Sequence, residues 1–475
     1  MPDIEHQQSK SEVQDTHLPP VDDPINPQDF PIKRKYFLLG LVSLTAFLSP
    51  LTSSISAPGV QFVDDEFHVT SGLLSSFSVS IFVLGFAVGP LFLSPLSEAY
   101  GRQPVLNVSN FFLTVWQLAC ALSPNMASLI VFRFLGGVGG SACLPIGGGI
   151  IADLFPLAQR GRANAMFTVG PLFGPVIGPI IGGFIAQRAG WRWVYWTLLI
   201  ACGVMATVNL VFGQETNYSV LRERARKQLL APGKADTETG SRVKENAVFG
   251  VIRGMSRPVR IVVSSPILAL LALYISFIFG LLYLLFTTIT ALFTTNYGWP
   301  VELAGLAYLG IGFGFGLGLL VVAKTSDATV TRLTKSNGDV YVPEMRLASC
   351  LYYALFIPGS FFWYGWTAEK QVHWIVPIIG LAPFGFGMMG IFASIQTYFI
   401  DVSGPFAASA VAGLVITRCI FGAFLPLAGP SMYEALGLGW GNSLLGFISL
   451  GLTPAPALIY RYGRALREKY PIVLS

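Results

Sequence analysis

Twelve long apolar stretches set the terms for this chain: 36–57, 71–96, 105–122, 127–151, 163–186, 193–213, 266–292, 303–323, 347–366, 374–399, 406–430 and 440–460. Ten of them contain no Asp, Glu, Lys or Arg, and the other two hold one arginine each, Arg133 and Arg418. A bilayer core about 30 Å thick takes roughly 20 apolar residues per helix. Backbone polar groups have no partners in hydrocarbon, so segments of this length and composition are read as helices. Charged residues make up 12% of the 475, about half the share of an ordinary soluble domain. The expected fold is an all-α membrane protein of twelve transmembrane helices.

Charge placement gives the orientation. With both termini in the cytosol, Arg188, Arg192 and Lys370 fall outside and Arg133 and Arg418 fall within spans, which leaves 25 of the 30 Lys and Arg on the cytosolic side. Basic residues concentrate in this way on the cytosolic face of membrane proteins. The spans divide six and six. The expected organisation is a cytosolic disordered tail (1–32), a six-helix bundle (33–213), a basic cytosolic loop (214–262), a second six-helix bundle (263–460) and a cytosolic tail (461–475). The central loop carries ten basic residues from Arg222 to Arg260. It reads either as an amphipathic helix on an anionic leaflet or as a solvated linker. The five cysteines all fall within apolar stretches without CxxC spacing, which points to buried small residues rather than disulfides or a metal site.

Within this frame, several short motifs stand out. The loop after the second span reads SPLSEAYGRQP (94–104). Glu98 and Arg102 stand four apart, Gly101 permits a tight turn, and Asp153 past the fourth span is a further partner for Arg102. The fourth span holds Arg133 and Gly137 in LIVFRFLGGVGG (129–140), and the fifth reads GPLFGPVIGPIIGG (170–183). A four-residue step turns about 400° in a helix, so Gly170, Gly174, Gly178 and Gly182 form one stripe that lets a neighbouring helix come close. Pro175 and Pro179 lack a backbone N–H and free the carbonyls of Pro171 and Pro175.

These motifs resemble those of the major facilitator superfamily, in particular its fungal twelve-span drug:proton antiporters, a group that includes multidrug, polyamine and toxin exporters. The resemblance covers about 33–470. SPLSEAYGRQP is similar to the family's Gly-x-x-x-Asp-x-x-Gly-Arg-Lys loop, with Gly101 and Arg102 matching and Glu98 in place of the aspartate. Arg133 and Gly137 match its Arg-x-x-x-Gly signature. Gly174, Gly178, Pro179, Gly182 and Gly183 fill every fixed position of its antiporter motif, Gly-x-x-x-Gly-Pro-x-x-Gly-Gly. The resemblance implies two pseudo-symmetric six-helix bundles and alternating access. It also implies proton coupling at Arg133, and a cytosolic latch of Glu98, Gly101, Arg102 and Asp153 against the eleventh span.

A charge near the bilayer centre is costly and normally faces a cavity or protein. Arg418, twelve residues into its span, lies roughly 18 Å deep, near the midplane. Arg133 lies roughly 9 Å from the external side, where it either takes part in coupling or snorkels. Candidate cavity residues are Arg418, Ser53 beside Pro50, Tyr274, Tyr283 and Phe286 in the seventh span, and Phe384, Met388, Met389, Gln396 and Tyr398 in the tenth. No Asp, Glu or His lies within any span. That weakens a cationic cargo and favours neutral or weakly acidic lipophilic compounds. No GxxxxGK[ST] loop is present, no catalytic constellation is seen, and the basic residues track topology rather than nucleic acid.

The reading is a monomeric multi-pass transporter, not an enzyme, with no cofactor or metal, whose partners are a small-molecule substrate, protons and membrane lipid. It exports drugs, toxins or secondary metabolites against proton entry from a plasma or vacuolar membrane. Uptake or exchange of an organic anion with Arg418 as counter-charge, and a non-transporting receptor on the same scaffold, are the alternatives.

Overall fold

The computed structural model describes residues 26–229, 256–403 and 407–469. The expected amino-terminal tail up to residue 25, the linker from 230 to 255 and the last six residues lie outside them. Among the described residues there is no strand, and ten helical stretches are long and apolar enough to cross a membrane. One of these, Ser409–Arg467, runs 59 residues. That is about 90 Å at 1.5 Å per residue, far more than one crossing needs, and it turns at Gly437, whose φ of 71° lies in the left-handed region. Arg102–Ala121 adds a further 20-residue helix whose polar side chains lower its hydropathy. The arrangement is consistent with twelve crossings.

The first half comprises α1 (Ile32–Ser54), a short loop helix α2 (Val60–Phe67), α3 (Gly72–Tyr100), α4 (Arg102–Ala121), α5 (Met126–Gly140), α6 (Cys143–Leu154), α7 (Leu157–Ala189) and α8 (Trp191–Phe212). After α9 (Tyr218–Leu229), the second half contains α10 (Pro266–Tyr297), a one-turn helix and 3-10 turn over 301–308, and α11 (Leu309–Ser336). It continues through α12 (Ala348–Ala354), α13 (Phe356–Glu369), α14 (Ile375–Gly380), α15 (Ala382–Ser403), α16 (Ala407–Phe424), α17 (Gly429–Leu452) and α18 (Pro454–Lys469).

Several expected single spans are interrupted, and one physical cause serves for three of the breaks. The fourth breaks at 141–142, the ninth at Leu355 and the tenth at Leu381. Each break precedes a proline in the first turn of the next helix, Pro145, Pro358 and Pro383. A proline there removes the N–H that would bond the carbonyl four residues back, at Ser141, Ala354 and Ile379. Yet α7 carries Pro171, Pro175 and Pro179 and remains one helix of 33 residues.

Apolar packing forms three clusters. Two lie in the first half, one around Leu38, Val42, Leu106, Ile146 and Phe155 and one around Leu51, Ile55, Met126, Leu129 and Trp191. The third fills the second half and reaches the first at Phe82, Val83, Phe86 and Val176. The face where α1 enters, α4 begins and α18 ends is called the basic face below; the opposite, distal face carries α2 and the 301–308 segment.

Candidate functional site

Arg133 on α5 is 2% exposed, so it does not snorkel. Its terminal nitrogens donate to the Ser53 carbonyl on α1 (3.0 Å), the Val79 carbonyl on α3 (3.1 Å) and the Tyr195 hydroxyl on α8 (3.2 Å). The rings of Phe82 and Tyr195 lie 5.7 and 6.0 Å from its charge. A planar fork with five N–H donors can bridge several helices at once, which an ammonium on a flexible stem does poorly. Arg133 thus ties four elements of the first half together.

From there the site crosses to the second half. The Ser53 and Tyr283 hydroxyls share a hydrogen bond of 2.9 Å. Tyr283, on α10, packs its ring 5.2 Å from Phe279 and 5.4 Å from Phe286. Arg418, on α16, has its guanidinium 5.1 Å from the Phe279 ring and 4.8 Å from the Phe392 ring of α15. Arg418 is buried, its Nε has no hydrogen-bond partner, and Tyr283 lies within electrostatic reach of both arginines. Among the described residues no carboxylate lies within ion-pair distance of either arginine. The centre of the molecule is therefore a buried path, Arg133–Ser53–Tyr283–Phe279–Arg418, with two positive charges and no negative one.

Of the other cavity candidates, Phe286 adjoins this path and the rest fall elsewhere. Phe384 packs edge-on against Phe361 of α13, and Met389 lies against Gly318 of α11. Tyr274, Tyr398 and Met388 are buried, and Gln396 is half-buried. Phe384, Tyr398, Tyr274, Met388 and Met389 are 0% to 6% exposed, as buried as Ser53, Tyr283 and Phe286. Phe279 and Phe392 were missed by the sequence reading. Their signal was helical spacing from Tyr283 and Met388, four residues along in each case.

The glycine stripe of α7 lies against α1. A Cβ added at Gly170 would meet the Ser43 carbonyl at 2.7 Å, at Gly174 the Phe47 carbonyl at 2.5 Å and at Gly178 the Ser54 hydroxyl at 2.6 Å, while at Gly182 it would run into the Ile55 carbonyl. The Ser54 hydroxyl donates to the Pro175 carbonyl at 2.9 Å. That carbonyl is one that Pro179 frees, so α1 supplies its missing donor. Contact with the second half comes from the flank of α7, where a Cβ added at Gly183 would meet the Val301 carbonyl at 2.9 Å and one added at Gly305 would meet the Pro179 carbonyl at 2.7 Å.

Side-chain hydrogen bonds join the halves at Ser53–Tyr283, at Ser80 to the Ala423 carbonyl (2.7 Å) and at Arg188–Glu302 (2.8 Å). A Cβ added at Gly72 would meet Pro430 at 3.1 Å. The two halves are thus sealed toward the distal face. There Glu66 accepts from Trp191 (2.8 Å) and Arg192 (2.5 Å), and the Arg192 bond holds its carboxyl below the usual range.

At the basic face the expected pair of Glu98 and Arg102 is not formed. Gly101, with φ of 109°, ends α3 and turns the chain, so the two residues do not share a helix face. Glu98 is exposed, and its carbonyl accepts from the Asn217 side chain at 3.2 Å. Arg102 pairs with Asp153 at 3.3 Å and donates to the Ser97 hydroxyl at 2.9 Å. The carboxylate that organises this corner is Glu215, which the sequence reading missed. It accepts from the backbone N–H groups of Arg102 (2.8 Å), Gln103 (3.3 Å), Thr216 (3.0 Å) and Asn217 (2.9 Å). The second half repeats the theme, with Arg346 on Asp401 at 3.1 Å and Tyr341 bonded to the same carboxylate. Burial, and then that bond, push the Tyr341 hydroxyl up to about 12.

Two helical halves sealed at one face around a charged, buried centre define a polytopic membrane transporter. The sequence profile of the Major Facilitator Superfamily matches residues 42–426, and the chain belongs to that family. The MFS transporter cpaT of Aspergillus oryzae is 43% identical over 472 residues, covering 97% of this chain and 95% of the relative. The MFS-type transporter penM of Penicillium rubens is 44% identical, covering 94% of this chain and 88% of the relative. In fold, the chain resembles a partially occluded inward-open conformation of the xylose transporter XylE from E. coli, with a TM-score of 0.66, 15% identity, and coverage of 90% of this chain and 98% of that one.

Proposed function

We propose that this transporter works by alternating access and exports lipophilic small molecules against proton entry. The observation that carries the reading is the placement of α7. Its glycines lie against α1, its flank meets the 301–305 segment of the other half, and its sequence fills every fixed position of the antiporter motif. A helix so placed sits where the halves must part for a cargo to pass. With both termini in the cytosol, as the basic loops favour, the described state is closed to the outside. Arg133 then couples the proton to the motion, because a change in its bonding shifts α1, α3 and α8 together. The plasma membrane is the location this reading favours, and a monomer suffices for it. Overexpression lowers cellular accumulation of several lipophilic compounds, and a protonophore abolishes the difference. Accumulation that stays low under the protonophore overturns proton coupling, and accumulation unaffected by overexpression overturns export.

A further inference from the structure

The two buried arginines differ in how their donors are used. Arg133 places three hydrogen bonds on oxygen acceptors from three helices. Arg418 meets no oxygen acceptor among the described residues; the Cys419 thiol beside it and the Tyr283 hydroxyl nearby are its polar neighbours. Its company is otherwise aromatic, Phe279 and Phe392. Rings attract a cation but give a guanidinium no acceptor of ordinary strength for its N–H fork. Nor do the spans hold a counter-ion, since no Asp, Glu or His lies within any of the twelve. A buried, fully ionised group without a partner is costly, and Arg418 stays charged because a guanidinium does not give up its proton in proteins.

We infer that Arg418 completes its bonding with the cargo, and that the cargo is an organic anion carried on a flat, apolar, conjugated body. This rests on the export reading above, in which the space between the halves holds the transported compound, and it names the class of that compound as ionised lipophilic weak acids. A carboxylate or enolate accepts two parallel N–H bonds from a guanidinium, and the Phe279 and Phe392 rings offer faces against which a conjugated body stacks. Arg133 adds a second positive charge on the far side of the Ser53–Tyr283 bond. A cationic amine would meet two like charges and no carboxylate.

Binding at equilibrium, without any gradient, tests the site separately from export. The purified full chain is titrated with pyrenebutyrate, its methyl ester and pyrenebutylamine, and pyrene fluorescence is followed. The acid binds at least about tenfold more tightly than the ester or the amine, as a charge-assisted pair requires. Arg418→Gln brings the acid to within about threefold of its ester, and Arg418→Lys, which keeps the charge but not the fork, falls between. Equal affinities in the natural chain, preference for the amine, no saturable binding of the acid, or unchanged discrimination in Arg418→Gln each overturn the proposal. Should Arg418→Gln aggregate, the order of the three probes on the natural chain and on Arg418→Lys decides. Accumulation unaffected by overexpression would overturn export while leaving an acid-selective site standing, so the two failures are distinguishable.

Discussion

A carboxylate at the start of a helix meets N–H groups that have no partner within that helix, and the helix dipole adds to the attraction. Glu215 does this for α4, reaching Arg102 and Gln103 from the end of α8, and it also holds the turn at Thr216 and Asn217. Gly101 is what lets it approach: a Cβ there would run into the Glu215 carboxylate. Glu98, by contrast, is exposed and its carboxylate bonds to nothing among the described residues. Glu215→Gln should therefore lower stability by about 1–2 kcal/mol, whereas Glu98→Gln should stay within about 0.5 kcal/mol of the natural chain. The fraction of detergent-solubilised protein surviving a heating series measures both. Equal losses in the two variants would remove the cap from this account. Motif spacing placed Arg102 and Asp153 together, but a single sequence cannot show that a residue over a hundred positions away supplies the carboxylate.

At the scale of elements, the sequence was most informative where periodicity alone decides the geometry. Apolar length marked the spans, and the four-residue glycine step in α7 marked a close approach that the structure places against α1. What periodicity could not give was the partner of that approach, since α1 and the second half were both available. Nor could it tell the prolines that break a helix from those that do not. Pro145, Pro358 and Pro383 follow breaks, whereas Pro179 lies within α7, where Ser54 donates to the carbonyl it frees. The candidate site was partly legible for the same reason. Isolated charges within apolar spans drew attention to Arg133 and Arg418, but which aromatics surround them depends on helix rotation. Replacing Gly174 or Gly178 with leucine forces side chains into the Phe47 carbonyl or into Ser54 and the Leu51 carbonyl. Transport should fall at least about tenfold, because overpacking by a whole side chain costs 1–3 kcal/mol or more. Membrane insertion should persist, since the helix stays apolar. Gly40→Ala on the open side of α1, with nothing within 4 Å of the added Cβ, is the control that leaves transport unchanged. Normal transport in both leucine variants would mean that α1 and α7 need not touch.

For the whole molecule, alternating access requires the distal seal to open, and the contacts differ in how much they resist. The Arg188 side chain is 71% exposed. An ion pair so open to water contributes little to holding the halves together. The firmer contacts are the backbone approaches at Gly183 and Gly305 and the bond from Ser80 to the Ala423 carbonyl. The ion pair is thus cheap to lose, and its two positions can be joined covalently without disturbing the rest. All five native cysteines are buried, so thiols introduced at the exposed rim react in preference to them. In Arg188→Cys/Glu302→Cys, a short bifunctional methanethiosulfonate links the halves across the distal face. Transport in proteoliposomes should then drop at least about tenfold and return on reduction, while each single variant treated with the same reagent keeps its rate. Equilibrium binding of pyrenebutyrate should survive the link, because the seal, not the Arg418 site, is what has been fixed. Transport that continues at the natural rate with the halves joined would show that cargo does not leave between Arg188 and Glu302. The route would then have to pass elsewhere between the halves.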